Sequence, residues 1–250
     1  MDNYAPKYPK FTDVYYAGLR HILYHGALSA PRGMIQREVV NFSYTVTQNA
    51  NNGHLLRTTH ERQPNYEYGE AFADFVLSGK KRIPKSLIEM NPAAKFFKAD
   101  SLKDVKAFDL PKNFSVFYGP RIHAQLDNVI AELNEDPDTR RAYVSVLDGI
   151  NDNKMLAALR SKELDDVEYP CTVGFHFLKR DGKLSVTIQM RSQNMVSVWP
   201  YDYLIANRFL KHVAKATNSQ VGDVHGQVSS AHIYERDFKV VNEMLKSYFG

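Results

Sequence analysis

A lone cysteine, Cys171, stands among 250 residues, so no disulfide can close within the chain and packing and hydrogen bonds must hold the fold. No apolar run approaches the roughly 20 residues that a membrane-spanning helix needs. The opening stretch MDNYAPKYPKFTD lacks the apolar core of a secretory signal. These absences lead us to expect a soluble, cytoplasmic protein with no membrane partner. Charge of one sign is also scarce: 32 basic against 28 acidic residues leave an excess of +4, too small for a dedicated binder of nucleic acid polymers. A small ligand with a few anionic groups suits that balance better. Gly-rich phosphate loops, metal-ligand spacings, internal repeats and Gly/Ser linkers are missing, which argues against a P-loop site, a metal centre and a string of modules.

What is present is enough apolar sequence, 44% of residues, to bury a substantial core, and one domain over residues 1–250 is the economical reading. Thr12 to Gly26 carries Val14, Leu19, Ile22 and Leu23 at helical spacing, and Arg37 to Val46 is rich in β-branched and aromatic residues, as a strand should be. Helices are expected over Tyr66 to Leu77, Ile122 to Leu133 and Tyr203 to Ala216, with a short helical tail. After Arg141 the pattern turns to strands: AYVSVLD, then CTVGFHFLKR and LSVTIQMRS joined at Asp181-Gly182, and finally VHGQVSSAHIYER. Strands with helices between and after them imply an α+β or α/β layered fold, one sheet covered by helices.

Several residues could carry chemistry. Cys171 follows Pro170 at the mouth of a strand, and the partner strand of the hairpin delivers Arg191-Ser192, whose guanidinium can stabilise a thiolate. A lone cysteine is also often a small buried hydrophobe. Arg32, Arg140, Arg141 and Arg191 have the fork geometry that matches phosphate oxygens, or they form solvated faces. His232 and Tyr234 lie two apart on a strand, so both reach the same face and can hydrogen-bond a ligand hydroxyl, unless the histidine is a satisfied core residue. Asp202 follows Trp199-Pro200-Tyr201 at the start of a helix, where an N-cap is its plain role.

From Arg140 to the end of HIYERDF these residues resemble the thymidylate synthase family, and within it the deoxycytidylate hydroxymethylases; the first half of the chain is similar only loosely. The resemblance implies an α+β fold, with one large, mostly mixed sheet covered by helices and a homodimer formed through the sheet. It makes Cys171 the nucleophile after Pro170, and Arg191 and Ser192 phosphate ligands in Gln189-Met190-Arg191-Ser192, with Asn194 among the substrate-binding residues. Arg32 joins the phosphate ligands, and Arg140-Arg141 would reach the phosphate in the partner's active site. His232 and Tyr234 would hold the sugar, and Tyr118-Gly119, ahead of a helix, the cleft wall. The family's catalytic glutamate sits seven residues before a glycine, but that spacing leads from Gly79 to Phe72, so Glu70 on the same helix is nominated. A helical surface charge is the alternative role of Glu70. The implied one-carbon donor is 5,10-methylenetetrahydrofolate and the implied substrate a pyrimidine nucleoside monophosphate. The chain stops at Gly250 soon after its last strand, so a shortened or absent closing tail is expected.

Two departures from the methylating branch bear on the substrate. Thr172 stands where thymidylate synthases have His after the cysteine, and Pro200-Tyr201-Asp202 replaces Pro-Phe-Asn. Uracil shows an N3–H donor beside the O4 acceptor, which an amide complements, whereas cytosine shows an N3 acceptor beside an N4 amino donor. A carboxyl can accept from N4 while sharing a proton with N3, and a mispaired buried group costs roughly 1–3 kcal/mol. Asp202 therefore points to cytosine, and a site open to water to hydroxymethyl transfer onto dCMP or CMP. Rival readings are a methylase or hydroxymethylase of dUMP, a non-catalytic nucleotide or RNA-binding module using the arginines and 15 tyrosines, and an inactive scaffold.

Overall fold

The computed structural model describes residues 5–47, 64–80, 83–91, 115–162 and 169–250. Its strands form one mixed eight-stranded sheet. The elements are β1 (Lys7–Tyr8), α1 (Phe11–His25), β2 (Ala27–Ser29), β3 (Gln36–Val46), α2 (Tyr66–Leu77), α3 (Lys85–Met90), α4 (Ser115–Glu135) and β4 (Tyr143–Ser145). Then follow α5 (Asn151–Arg160), β5 (Thr172–Arg180), β6 (Lys183–Met190), β7 (Gln193–Asn194), α6 (Trp199–Ala216), β8 (Gln220–Tyr234) and α7 (Phe238–Phe249). The order across the sheet is β1-β3-β8-β6-β5-β4, with β2 beside β3 and β7 beside β8. Two pairings on this path, β1 with β3 and β6 with β8, are parallel and the rest antiparallel, as an α+β fold with crossover helices allows.

One face of the sheet carries the core. Phe42, Tyr44, Phe175, Phe177, Val186 and Ile188 alternate along their strands and meet helices α1 and α6. The densest packing is aromatic: Phe11 stacks on Tyr203 at 4.1 Å between ring centres, and Trp199 meets Phe11 and Tyr44 edge to face at 5.4 and 5.0 Å. Gly226, paired with Tyr44 in the adjacent strand, gives that ring its room, because a Cβ there would overlap it. Helix α2 packs on α4 and α6, and α7 closes on α1, where the rings of Tyr16 and Tyr248 stack at 3.9 Å.

The opposite face is polar. His176, Thr187, His225 and Thr45 form one row across four strands, and Gln189, Gln227 and Ser43 a second. Thr45 and His225 hydrogen-bond at 3.0 Å, and the Tyr143 hydroxyl donates to Gln189 Oε1 at 2.8 Å. A cavity of about 440 Å³, lined in part by Asn41, Ser43, Gln189 and Gln227, opens on this face. Near that level the alternation of β8 breaks phase, since Val228 and Ala231, three residues apart, are both buried. Asn41 on the neighbouring strand takes a left-handed backbone (φ 58°), which its short polar side chain tolerates.

Several expected boundaries shift, among them β8, which begins at Gln220 and not Val224. Helix α6 begins at Trp199, not Tyr203, because Pro200 in a first turn forfeits only a donor that has no partner there. Helix α4 begins at Ser115, so Tyr118-Gly119 lie inside it rather than ahead of it, and Pro120 is carried within the helix. The strand expected over AYVSVLD is only Tyr143–Ser145, beyond which Val146 and Leu147 both donate to the Val173 carbonyl. Among the described residues no helix is long and apolar enough to cross a membrane, and no group of three or more His, Cys, Asp or Glu could hold a metal ion.

Candidate active site

The hairpin of β5 and β6 sets the first half of the site. Thr172 pairs with Met190, and one step further the Arg191 amide donates to the Cys171 carbonyl at 2.9 Å, so the residues just outside the hairpin face each other. The guanidinium of Arg191 is then fixed on the strand entry: Nε donates to the Pro170 carbonyl at 2.8 Å and Nη2 to the Tyr169 carbonyl at 2.7 Å. It also lies over the Tyr169 ring, 4.7 Å from its centre. This leaves Nη2 3.7 Å from Cys171 Sγ. A fixed cation at that range favours the thiolate, the nucleophilic form of the side chain. Cys171 is half-buried, placed at a wall and not sealed within the core.

Asp202, in the first turn of α6, supplies the second half. The expected N-cap role does not hold: the helix has already begun at Trp199, and Gln193 Nε2 donates to Asp202 Oδ2 at 2.9 Å. Burial pushes the Asp202 carboxyl up to about 7, against a smaller opposite effect of the Gln193 hydrogen bond. The Tyr118 hydroxyl of α4 hydrogen-bonds Thr172 and lies within electrostatic reach of Cys171 and Asp202; burial raises it well above the usual phenol value. Tyr44 of β3 faces Asp202 from the sheet and is raised for the same reason. The turn into α6 is held by Asn194, whose Oδ1 accepts from the amides of Val196 at 3.0 Å and Ser197 at 3.2 Å.

Strand β7 ties this cluster to the sugar-binding pair expected from the sequence. Asn194 is paired with His232 on β8, and the His232 and Tyr234 rings meet at 4.9 Å. His232 is 5% exposed and its Nε2 is buried without a hydrogen-bond partner among the described residues. Burial lowers its pKa. Ser192 sits half-buried between Arg191 and Gln193.

Other expected residues stand apart from the cluster. Arg32 is exposed in the turn after β2, in a left-handed backbone conformation (φ 53°). Arg140 is exposed, its carbonyl contacting His176 on the polar face at 3.1 Å, and Arg141 pairs with Glu132 at 2.7 Å. Hydrogen bonds from Thr139 and then Arg141 hold Glu132 below its ordinary value. Glu70 lies on the outside of α2, 44% exposed, 3.7 Å from Arg208 of α6, which binds Asp74 more closely at 2.7 Å. Gln193 and Tyr44 escaped the sequence reading. A two-residue strand has no periodicity to detect, and Tyr44 reads as an ordinary inward strand position; the place of Gln193 inside the run from Arg191 to Asn194 was the available signal.

A family sequence model described as thymidylate synthase matches residues 94–248, more than half of the chain. Over 239 residues the chain is 27% identical to a deoxyuridylate hydroxymethyltransferase of Delftia phage PhiW-14, covering 93% of this chain and 62% of that protein. It is 24% identical over 242 residues to a "Putative thymidylate synthase" of Methanosarcina barkeri, covering 94% and 91% of the two. A protein of the same name from Methanothermobacter thermautotrophicus is 31% identical over 140 residues, 54% of this chain and 58% of that one. The chain therefore spans less than two thirds of the first and third of these relatives.

Proposed function

The chain belongs to the thymidylate synthase family, and from that premise we propose that it transfers a hydroxymethyl group to C5 of a cytosine nucleotide, dCMP or CMP. The observation that carries this reading is the cluster itself: a half-buried Cys171 with the Arg191 guanidinium 3.7 Å away, beside an Asp202 whose carboxyl is still protonated near neutrality.

Cys171 attacks C6 of the pyrimidine, forming an S–C6 bond and leaving C5 electron-rich; covalent addition divides a difficult substitution into easier steps. The Arg191 guanidinium, 3.7 Å from the sulfur, favours its ionised form before the attack, and Arg191 and Ser192 are assigned to the substrate phosphate. A neutral Asp202 donates to N3 and accepts from N4, the pairing that cytosine requires. Loss of the C5 proton needs a base, for which Glu70 is the candidate, acting through water from its exposed position. Water would complete the hydroxymethyl group with tetrahydrofolate as the leaving group, after which the sulfur leaves C6.

5,10-Methylenetetrahydrofolate supplies the one-carbon unit at the oxidation level of formaldehyde. Val198, 41% exposed at the head of α6, and the half-buried Tyr201 precede Asp202 in the chain and are the apolar groups that would meet the flat ring system of the folate. Arg32, Arg140 and Arg141 are assigned to phosphate binding, the last two in a partner's site across a homodimer formed on the polar sheet face. The backbone carbonyl of Arg140 contacts His176 at 3.1 Å, which places Arg140 at the edge of that face with its side chain exposed.

A second reading, transfer onto dUMP, is favoured by the name of the phage relative, which covers 93% of the chain. Incubation of the enzyme with methylenetetrahydrofolate and CMP, dCMP or dUMP, followed by mass spectrometry, separates the two. We expect hydroxymethylated cytosine nucleotide, and no product or C5 tritium release with Cys171→Ala; product from dUMP alone would falsify the cytosine reading.

A further inference from the structure

Gln193 is placed by the backbone and then enclosed. It sits on β7, paired with Ala231 of β8, and is 1% exposed. Among the described residues its side-chain amide has one hydrogen-bond partner, Asp202 Oδ2, 2.9 Å from Nε2, while Oε1 is buried without a partner. An amide that leaves its acceptor unpaired is held by its donor, and a half-turn would set Oε1 against Oδ2, a repulsive contact unless Oδ2 carried a proton. The titratable groups that face Asp202 from other elements are Tyr44 on β3 and Tyr118 on α4, both held above the usual phenol range and neutral. Gln193 is thus the group that distinguishes the two oxygens of Asp202.

Given the reading of Asp202 as the base-recognition group, we propose that Gln193 is a positioning residue that fixes the proton of Asp202 on Oδ1 and so makes the site select cytosine over uracil. With the Gln193 amide on Oδ2, the carboxyl shows a donor at Oδ1 and an acceptor at Oδ2. With Oδ1 set toward N3 and Oδ2 toward the exocyclic group, this order matches cytosine. Uracil needs the reverse order, with the proton on the oxygen that already receives the Gln193 N–H.

The test is competition between dCMP and dUMP in the presence of methylenetetrahydrofolate, across the range from about pH 6 to about pH 9, with Gln193→Leu and Gln193→Glu beside the wild type. Gln193→Leu should lower the cytosine-to-uracil ratio of kcat/KM about tenfold. It should also move the alkaline limb of the cytosine profile to higher pH, because the lost donor favoured the ionised carboxyl. Gln193→Glu can donate only while protonated; buried and beside a second carboxyl it should hold its proton well above the ordinary carboxylate range, keep the wild-type ratio at about pH 6 and lose it at about pH 8. Should Gln193→Leu not fold, the pH dependence in Gln193→Glu decides alone. A cytosine-selective wild type whose ratio and limb survive in these variants overturns the role of Gln193 only. A wild type that prefers uracil overturns the cytosine reading and this role together.

Discussion

Asp202 holds its proton to about 7 because the protein surrounding its carboxyl penalises the ionised form more than the single donor from Gln193 rewards it. The sign of the pH dependence follows. Below that value the carboxyl is neutral and can donate to a cytosine N3; above it the donor is lost, so kcat/KM for dCMP should fall on the alkaline side of about 7. Asp202→Asn removes the titrating group and restores the amide that complements uracil. We expect the variant to prefer dUMP by about tenfold or more and to lack the alkaline limb, checked by kcat/KM for both nucleotides over the same pH range. Equal discrimination in Asp202→Asn and the wild type would remove the case for cytosine.

Elements carry that residue chemistry into place. Helix α6 positions Asp202 because its first turn, Trp199 onward, is locked into the aromatic cluster with Phe11, Tyr44 and Tyr203. The cluster depends on strand β8 bringing a glycine beside Tyr44. Gly226→Ala should displace the Tyr44 ring and destabilise the protein by about 2–3 kcal/mol, read from the denaturation midpoint. A larger loss of dCMP turnover than of dUMP turnover should accompany it, since Tyr44 faces Asp202. Periodicity revealed most of these elements: the helix expected over Tyr66 to Leu77 has those bounds. It failed at the starts of α6 and α4, where Pro200 is taken into one first turn and Pro120 is carried inside the other helix, and where an element was too short to have a period, as at Gln193–Asn194.

At the scale of the molecule, one chain assembles Cys171, Arg191, Tyr118 and Asp202, while Arg32, Arg140 and Arg141 stay exposed away from that cluster. The proposed homodimer accounts for Arg140 and Arg141. Mixing inactive Cys171→Ala with inactive Arg141→Ala and allowing subunits to exchange should restore about a quarter of the wild-type activity. Half the dimers are then mixed and each has one intact site. No recovery after proven exchange would place Arg141 outside the partner's site. The sequence by itself determined the family, the α+β layering and the placing of Arg191 beside Cys171, because hairpin pairing is local and brings the two together whatever the rest of the chain does. Only the tertiary structure decided that the Asp202 carboxyl is buried and raised instead of capping a helix, that Glu70 lies outside against Arg208, and that Gln193 donates to Asp202. Burial and the direction of a hydrogen bond are set by elements far apart in the chain, and no local pattern of residues records them.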